Sequence, residues 1–338
     1  MRGRVSASLS FAELLCEPLI ILQVAVVTGA TVGIGFEVSK ALALAKARVL
    51  LLSRKAEHGD DAISKIKEEA PDADVHFIEC DLGNLRNVKD VGDRICAEQK
   101  RLDIVIADAG VGVNRFGLSS DNIDRHFAVN HLGHFLLINR LLPLVRKTSK
   151  TQDSGAPGPV HPRIVTVSSE LYKAAPSDTA FASEDEVSEA GSASLSAIAL
   201  YGRSKLANIL FTRYTLVERA IRPTGDAIYA LAVHPGAVHT GQQDQFKEAY
   251  GALFGTVAKA VSVPFMRNPE QGSLCALWAA TSDAIDKNVQ QGYYFTDPGV
   301  PGQLNSQADD EKLGENLYHL SERLVREKLG PDALNSWT

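Results

Sequence analysis

The sequence predicts one doubly wound α/β sheet, mostly parallel, with helices on both faces. Three observations carry that expectation. Short apolar runs rich in Val and Ile recur along the chain, helical patterns separate them, and a glycine-rich turn joins the first run to the first helix. Strands covered on both sides of a parallel sheet read as continuous apolar runs. Regular alternation of strand and helix is the pattern of a doubly wound sheet.

The elements follow in order. Residues 1–22 form an N-terminal extension, in which "FAELLCEPLIILQ" is apolar but broken by Glu13, Glu17 and Pro18. It is too short and too interrupted to span a bilayer. A membrane contact through Leu14 to Leu22 stays open. Strands are expected at "VAVVTG" (24–29), "RVLLLS" (48–53), "VHFIECD" (75–81), "LDIVIADAG" (102–110), "RIVTVSS" (163–169), "AIYALAVHPG" (227–236) and "GYYFT" (292–296). Helical spacing marks 34–46, 57–70, 84–100, 121–147 and 198–221. Two insertions interrupt the pattern: a polar Gly/Pro-rich loop at 149–162, and a Ser/Ala/Glu-rich excursion at 176–197 expected to be exposed. Residues 23–305 read as a single catalytic domain and 306–338 as a helical tail.

Composition narrows the class. Of 338 residues, 45% are apolar and 22% charged, with a net charge of −6, which describes an ordinary globular protein without the basic footprint of a nucleic-acid binder. Cys16, Cys80, Cys96 and Cys275 show no paired spacing. That argues against a disulfide framework or a zinc site, and fits a reducing, cytoplasmic setting. His126, His131 and His134 form no metal-like set with carboxylates.

The turn "TGATVGIG" places Gly29, Gly33 and Gly35 between a strand and a helix. A plain βα turn often has one glycine; three at this spacing allow a pyrophosphate to approach the backbone, where a helix N-terminus stabilises it. The second strand ends in Ser53, Arg54 and Lys55, where an NAD-preferring site has an acid. A strand-end cation is common, but the acid is missing as well. Arg54 can pair with a 2′-phosphate, so NADP(H) is expected over NAD(H). Asp81 and Leu82, in "CDL", suit the adenine, although Asp81 can equally be the N-cap of the following helix.

Tyr201 and Lys205, in "YGRSK", fall one helical turn apart. Such a pair occurs by chance in many proteins, as do serine pairs after strands and asparagines on helices. Here they come in a fixed order, together with "ADAG", "VNHLGHF", "IVTVSS" and "HPGAVHT", and that order resembles the short-chain dehydrogenase/reductase family from about residue 23 onward. "YGRSKLANILFTR" and "GYYF…LYHLSERLV" are similar to the branch of retinol dehydrogenases and WW-domain oxidoreductases, although no WW domain is visible. The resemblance implies a Rossmann-type fold and NADP-dependent interconversion of carbonyl and alcohol. It assigns Tyr201 as proton donor and acceptor, Lys205 as its partner, Ser169 as the catalytic serine with Ser168 as runner-up, and Asn130 as the fourth member. Lys205 would lower the tyrosine pKa, and Asn130 would hold a water linking Lys205 to solvent. Cofactor contacts would come from Gly29, Thr31, Gly33, Ile34, Gly35, Arg54, Asp81, Leu82, Ala109, Gly110, Lys205, Pro235, Gly236, Val238 and Thr240. His234 and His239 read as structural.

Two departures stand out. Asp108 replaces the family's usual asparagine, exchanging a group that donates and accepts for one that only accepts. The 176–197 excursion lengthens the interval between Ser169 and Tyr201. Residues 241–268 lie at the substrate-lid position, and Phe246, Tyr250, Leu253, Phe254, Val257 and Phe265 space an apolar face that suits a lipophilic substrate, a dimer contact or a membrane. The expected partners are a small carbonyl or alcohol, with no nucleic acid and no transmembrane span, the protein being a monomer or homo-oligomer. The competing reading is an NADP-binding scaffold that turns over little.

Overall fold

In the computed structural model the described residues are 23–151, 161–238 and 266–338. The N-terminal extension, most of the Gly/Pro-rich loop, His239, Thr240 and the apolar residues of the lid segment lie outside them. The described chain builds one eight-stranded sheet. Its strands are β1 (Val24–Thr28), β2 (Arg48–Ser53), β3 (Val75–Glu79), β4 (Ile104–Ala107), β5 (Arg163–Val167), β6 (Tyr229–Val233), β7 (Tyr294–Asp297) and β8 (Val300–Pro301). The order is β3-β2-β1-β4-β5-β6-β7-β8. Neighbours from β3 to β7 are parallel, and β8 is antiparallel.

Alternation along each strand divides its side chains between two cores. Val24 and Val26, Leu50 and Leu52, and Val105 join one core; Ala25 and Val27, Val49 and Leu51, and Ile104 and Ile106 join the other. Both faces are therefore apolar, which is why the strands read as unbroken runs. On the second face lie α1 (Gly33–Leu44), α2 (Ala56–Glu69) and α6 (Pro269–Thr281), through residues such as Val38, Leu42, Ile66 and Cys275. On the first lie α3 (Leu85–Glu98), α4 (Gly133–Lys150), α5 (Ala197–Leu210) and α7 (Glu311–Leu329). A short helix, Arg125–Phe127, and a π-helical turn, Ala128–Leu132, lead into α4. A π-helical stretch, Phe211–Ile221, continues α5.

The structure differs from the sequence expectations in three places. The 176–197 excursion is not simply exposed: Phe181, Val187 and Ser192 are buried, and it contains the 3₁₀ turn Glu184–Val187 and the helical turn Glu189–Ser192. Asp81 does not cap α3. Asn84 does, accepting from the Asn87 N–H, while Asp81 accepts from the Gly83 N–H at 2.9 Å in a tight turn. β8 was not expected at all; it is two exposed residues long and carries no apolar signal.

The C-terminal tail is part of the core. Trp337 packs on Phe135 with ring centroids 5.1 Å apart, and Phe211 and Tyr318 complete the cluster. The Trp337 carbonyl accepts from Arg146 Nη2 at 2.6 Å. Phe135 is fully buried where α4, the continuation of α5, and α7 meet. Phe135→Ala should therefore destabilise the fold by about 3–5 kcal/mol in urea unfolding, the usual range for a large aromatic cavity. A loss below about 1 kcal/mol would show that this cluster does not hold the helical layer together.

Candidate active site

The chain order reverses between β1 and β4, and ligands of open α/β sheets bind at that point, beyond the carboxyl ends of the strands. A cavity of about 380 Å³ opens there. Its lining includes Gly29, Gly33, Ile34, Arg54, Leu82, Ala109, Gly110, Tyr201, Lys205 and Pro235.

The glycine turn forms one wall. Gly29 has φ +67°, and a Cβ there would meet the Ala109 Cα at 2.9 Å. A Cβ on Gly35 would come within 2.5 Å of the Gly29 carbonyl oxygen, so α1 can start this close to β1 only with glycine. Val32 precedes α1 and provides no side-chain cap. Backbone N–H groups at the start of α1 are thus left for an anionic ligand, and the donor set suits a dinucleotide pyrophosphate. The Thr31 hydroxyl donates to Ser53 at 3.0 Å, tying the turn to the end of β2, where Arg54 stands exposed on the cavity rim.

A hydrogen-bond chain that the sequence did not suggest fixes the next wall. The Ala109 N–H donates to Thr28 Oγ1 at 3.0 Å, Thr28 Oγ1 lies 2.8 Å from His134 Nε2, and His134 Nδ1 lies 3.0 Å from the Asn130 carbonyl. A carbonyl can only accept, so Nδ1 carries the proton and Nε2 accepts from the threonine. Burial first, and then the Lys205 charge, hold His134 down at about 4, so the ring stays neutral. Asn130 is fully buried. Its Oδ1 accepts from the Val111 N–H at 2.7 Å, and its Nδ2 donates to the Val111 carbonyl and to Ser204. The amide braces the loop after β4.

On α5, Tyr201 and Lys205 face the cavity. Ser169, just beyond β5, stands beside the Tyr201 hydroxyl, and its oxygen accepts from the Leu171 N–H at 3.2 Å. Ser168 also borders the cavity, and its hydroxyl donates to the Lys205 carbonyl at 2.8 Å. Lys205 is buried, its ammonium donating to the Val167 carbonyl at 2.8 Å and lying 5.6 Å from the Tyr201 ring centre. The depression expected from Lys205 together with an oxidised nicotinamide is opposed by burial of the phenol. Burial pushes the Tyr201 phenol up to about 12; the Ser169 bond opposes that, and the Asp108 charge adds to it.

Beyond β6, Pro235 and Gly236 turn under Arg267, whose Nη1 donates to the Pro235 carbonyl at 3.3 Å and whose Nη2 reaches Asp297 at 2.5 Å. Val238 pairs with Arg267 in a parallel bridge. His234 accepts from the Glu170 N–H at 3.3 Å, a contact within the scaffold. Arg267 was missed because a lone arginine 30 residues from its partner leaves no pattern in sequence. Among the described residues no cluster of three His, Cys, Asp or Glu could hold a metal ion, and no helix is long and apolar enough to cross a membrane.

The fold and this cavity are those of a nucleotide-dependent α/β oxidoreductase. The family model for short chain dehydrogenases matches residues 23–176. A WW domain-containing oxidoreductase of Gallus gallus is 32% identical over 311 residues, covering 91% of this chain and 69% of that protein. Retinol dehydrogenase 12 of Mus musculus is 32% identical over 303 residues, covering 90% and 86%. A solved structure from Mycobacterium paratuberculosis superposes with a TM-score of 0.66 at 24% identity, over 92% of this chain and 96% of that one. The chain belongs to the short-chain dehydrogenase/reductase family, in the branch of these two relatives.

Asp108 is the family departure that the structure gives a measurable consequence. Its carboxylate accepts from the Gly35 N–H; burial raises it to about 6 against an ordinary 3.8, although the Lys205 charge opposes the shift. The folded protein then holds this proton more tightly than the unfolded chain does, so the residue withdraws stability as pH rises from about 4 to about 6. Asp108→Asn should therefore gain on the wild type across that window in urea midpoints. A gap that does not change with pH would show that Asp108 ionises normally.

Proposed function

We propose that the protein is an NADP(H)-dependent reductase of ketones or aldehydes, on one observation above all: the Tyr201 phenol and the Lys205 ammonium, 5.6 Å from the Tyr201 ring centre, line the same cavity as the glycine turn, with Ser169 beside the phenol. The glycine turn and the N–H groups of α1 would hold the pyrophosphate. Arg54 would take the 2′-phosphate, since no acid stands at the end of β2. A reduced nicotinamide, when bound, supplies the hydride.

The chain's own residues supply the rest. Ser169 donates to the carbonyl oxygen and fixes it beside Tyr201. Tyr201 passes its proton to that oxygen as negative charge builds there. With its phenol pushed up to about 12 by burial, Tyr201 is protonated at neutral pH and holds the proton that the reduction needs. Burial lowers Lys205 to about 8, with Asp108 opposing, so the lysine is still an ammonium at pH 7 and its charge favours the phenolate left behind. Asn130 acts by holding the Val111 loop and Ser204 in place. A lipophilic substrate fits the apolar neighbours of the site, Val111 and Val129, and the name of the retinol dehydrogenase relative. The alternative, an NADP-binding scaffold, has the same cavity but no use for a serine beside the Tyr201 phenol.

NADPH oxidation followed at 340 nm across a panel of ketones and aldehydes tests the reading. Tyr201→Phe should lower the rate roughly 10²–10⁴-fold with cofactor binding retained. Equal rates for variant and wild type would remove Tyr201 from the reaction. Cofactor binding without turnover of any carbonyl would favour the scaffold. Arg54→Asp should weaken NADPH and improve NADH in steady-state kinetics; an unchanged ratio would dismiss Arg54 as the phosphate site.

A further inference from the structure

Arg203 lies between Tyr201 and Lys205 on α5, yet it is turned away from the cavity and is only 1% exposed. Its guanidinium reaches three acceptors on two separate pieces of chain. Nη1 donates to the Glu186 carbonyl, and Nη2 donates to Ser192 Oγ at 2.8 Å and to Asp124 Oδ2 at 3.2 Å. Glu186 and Ser192 belong to the 176–197 excursion. Asp124, itself fully buried, caps the short helix before Asn130 by accepting from the N–H groups of His126 and Phe127, each at 3.3 Å. The Asp124 N–H donates to the Val187 carbonyl at 2.7 Å, so the excursion is fastened to that helix start as well.

Resting on the functional reading above, we propose that the Arg203–Asp124 pair is a positioning device for proton transfer, setting the helix of Tyr201 and Lys205 against the helical run of Asn130. A buried ion pair is a poor source of stability, because desolvation offsets much of the attraction and an apolar pair often does as well. What this pair does supply is direction. The planar fork serves three acceptors on two segments in one fixed geometry, which neither a lysine nor an apolar side chain reproduces. Next to it, Ser204 Oγ donates to the Tyr201 carbonyl at 2.7 Å and accepts from Asn130 Nδ2 at 2.9 Å, so a shift between the two helices is felt directly at Tyr201. A misplacement of about 1 Å is enough to lower a rate roughly 100-fold. The pair makes no contact with the glycine turn or Arg54, so cofactor binding should be spared. On this view the excursion that lengthens the interval between Ser169 and Tyr201 is a buttress closed by Arg203.

The test uses Arg203→Lys, Arg203→Met, Asp124→Asn and the double variant Asp124→Asn/Arg203→Met, with Tyr201→Phe beside them. NADPH affinity is read by fluorescence, and kcat and its pH profile on the best carbonyl of the panel. The expected result is a split: NADPH affinity within about twofold of wild type, kcat at least about tenfold lower, and a displaced pH profile, with the double variant no worse than the poorer single one. If Arg203→Met does not fold, Arg203→Lys and Asp124→Asn carry the comparison, each removing one side of the clamp more gently. Folded variants that keep the wild-type kcat and pH profile would overturn the inference while Tyr201→Phe is dead. Activity retained in Tyr201→Phe, or no turnover by the wild type, would overturn the functional reading and this inference with it.

Discussion

A lysine ammonium held 4% exposed inside a sheet end is the constraint on which the site depends. Such a charge is expensive to bury and must be met by oriented oxygens. The Val167 carbonyl meets it at the end of β5, 2.8 Å away, and Asp108 beyond β4 supplies the opposite charge. Those two groups sit on neighbouring strands, and Lys205 can reach them only if α5 lies across the strand ends at one height. That height also brings Tyr201 to Ser169. The chemistry and the packing of the helix are therefore one problem with one solution.

The surrounding polar contacts serve that solution. The chain Ala109–Thr28–His134–Asn130 links β4, β1 and the helical run before α4, and keeps a neutral histidine where a charged one would repel Lys205. Asn130 then steadies Val111 and, through Ser204, the carbonyl of Tyr201. Each link is buried and hydrogen-bonded, which makes the network rigid but leaves little room for substitution.

The sheet was legible because every central strand is apolar on both faces and helices lie between the parallel strands. The glycine turn was legible because its spacing answers to a steric demand, visible in the 2.5 Å that a Cβ on Gly35 would leave to Gly29. The choice between Ser168 and Ser169 could not be settled from residues alone, since the two are adjacent and chemically identical. The roles of Thr28, His134, Arg267 and the Arg203–Asp124 pair were not legible either. Each is a contact across a long sequence separation, and a buried polar pair has no period to reveal it. The excursion misled for a related reason: its polar composition suggested exposure, but Phe181 and Val187 are buried and its Glu186 carbonyl, Val187 carbonyl and Ser192 hydroxyl are held by Arg203 and Asp124.

The central claim is that hydride arrives from a cofactor on the β1 side of the cavity while Tyr201 protonates the oxygen. The most direct measurement is isotopic. The protein would be given NADPH carrying deuterium at the transferable position of the nicotinamide, with an aldehyde or ketone, and the product alcohol analysed by mass spectrometry. The account predicts one deuterium on the carbinol carbon and a hydroxyl proton drawn from solvent. Product alcohol without deuterium on that carbon would contradict it.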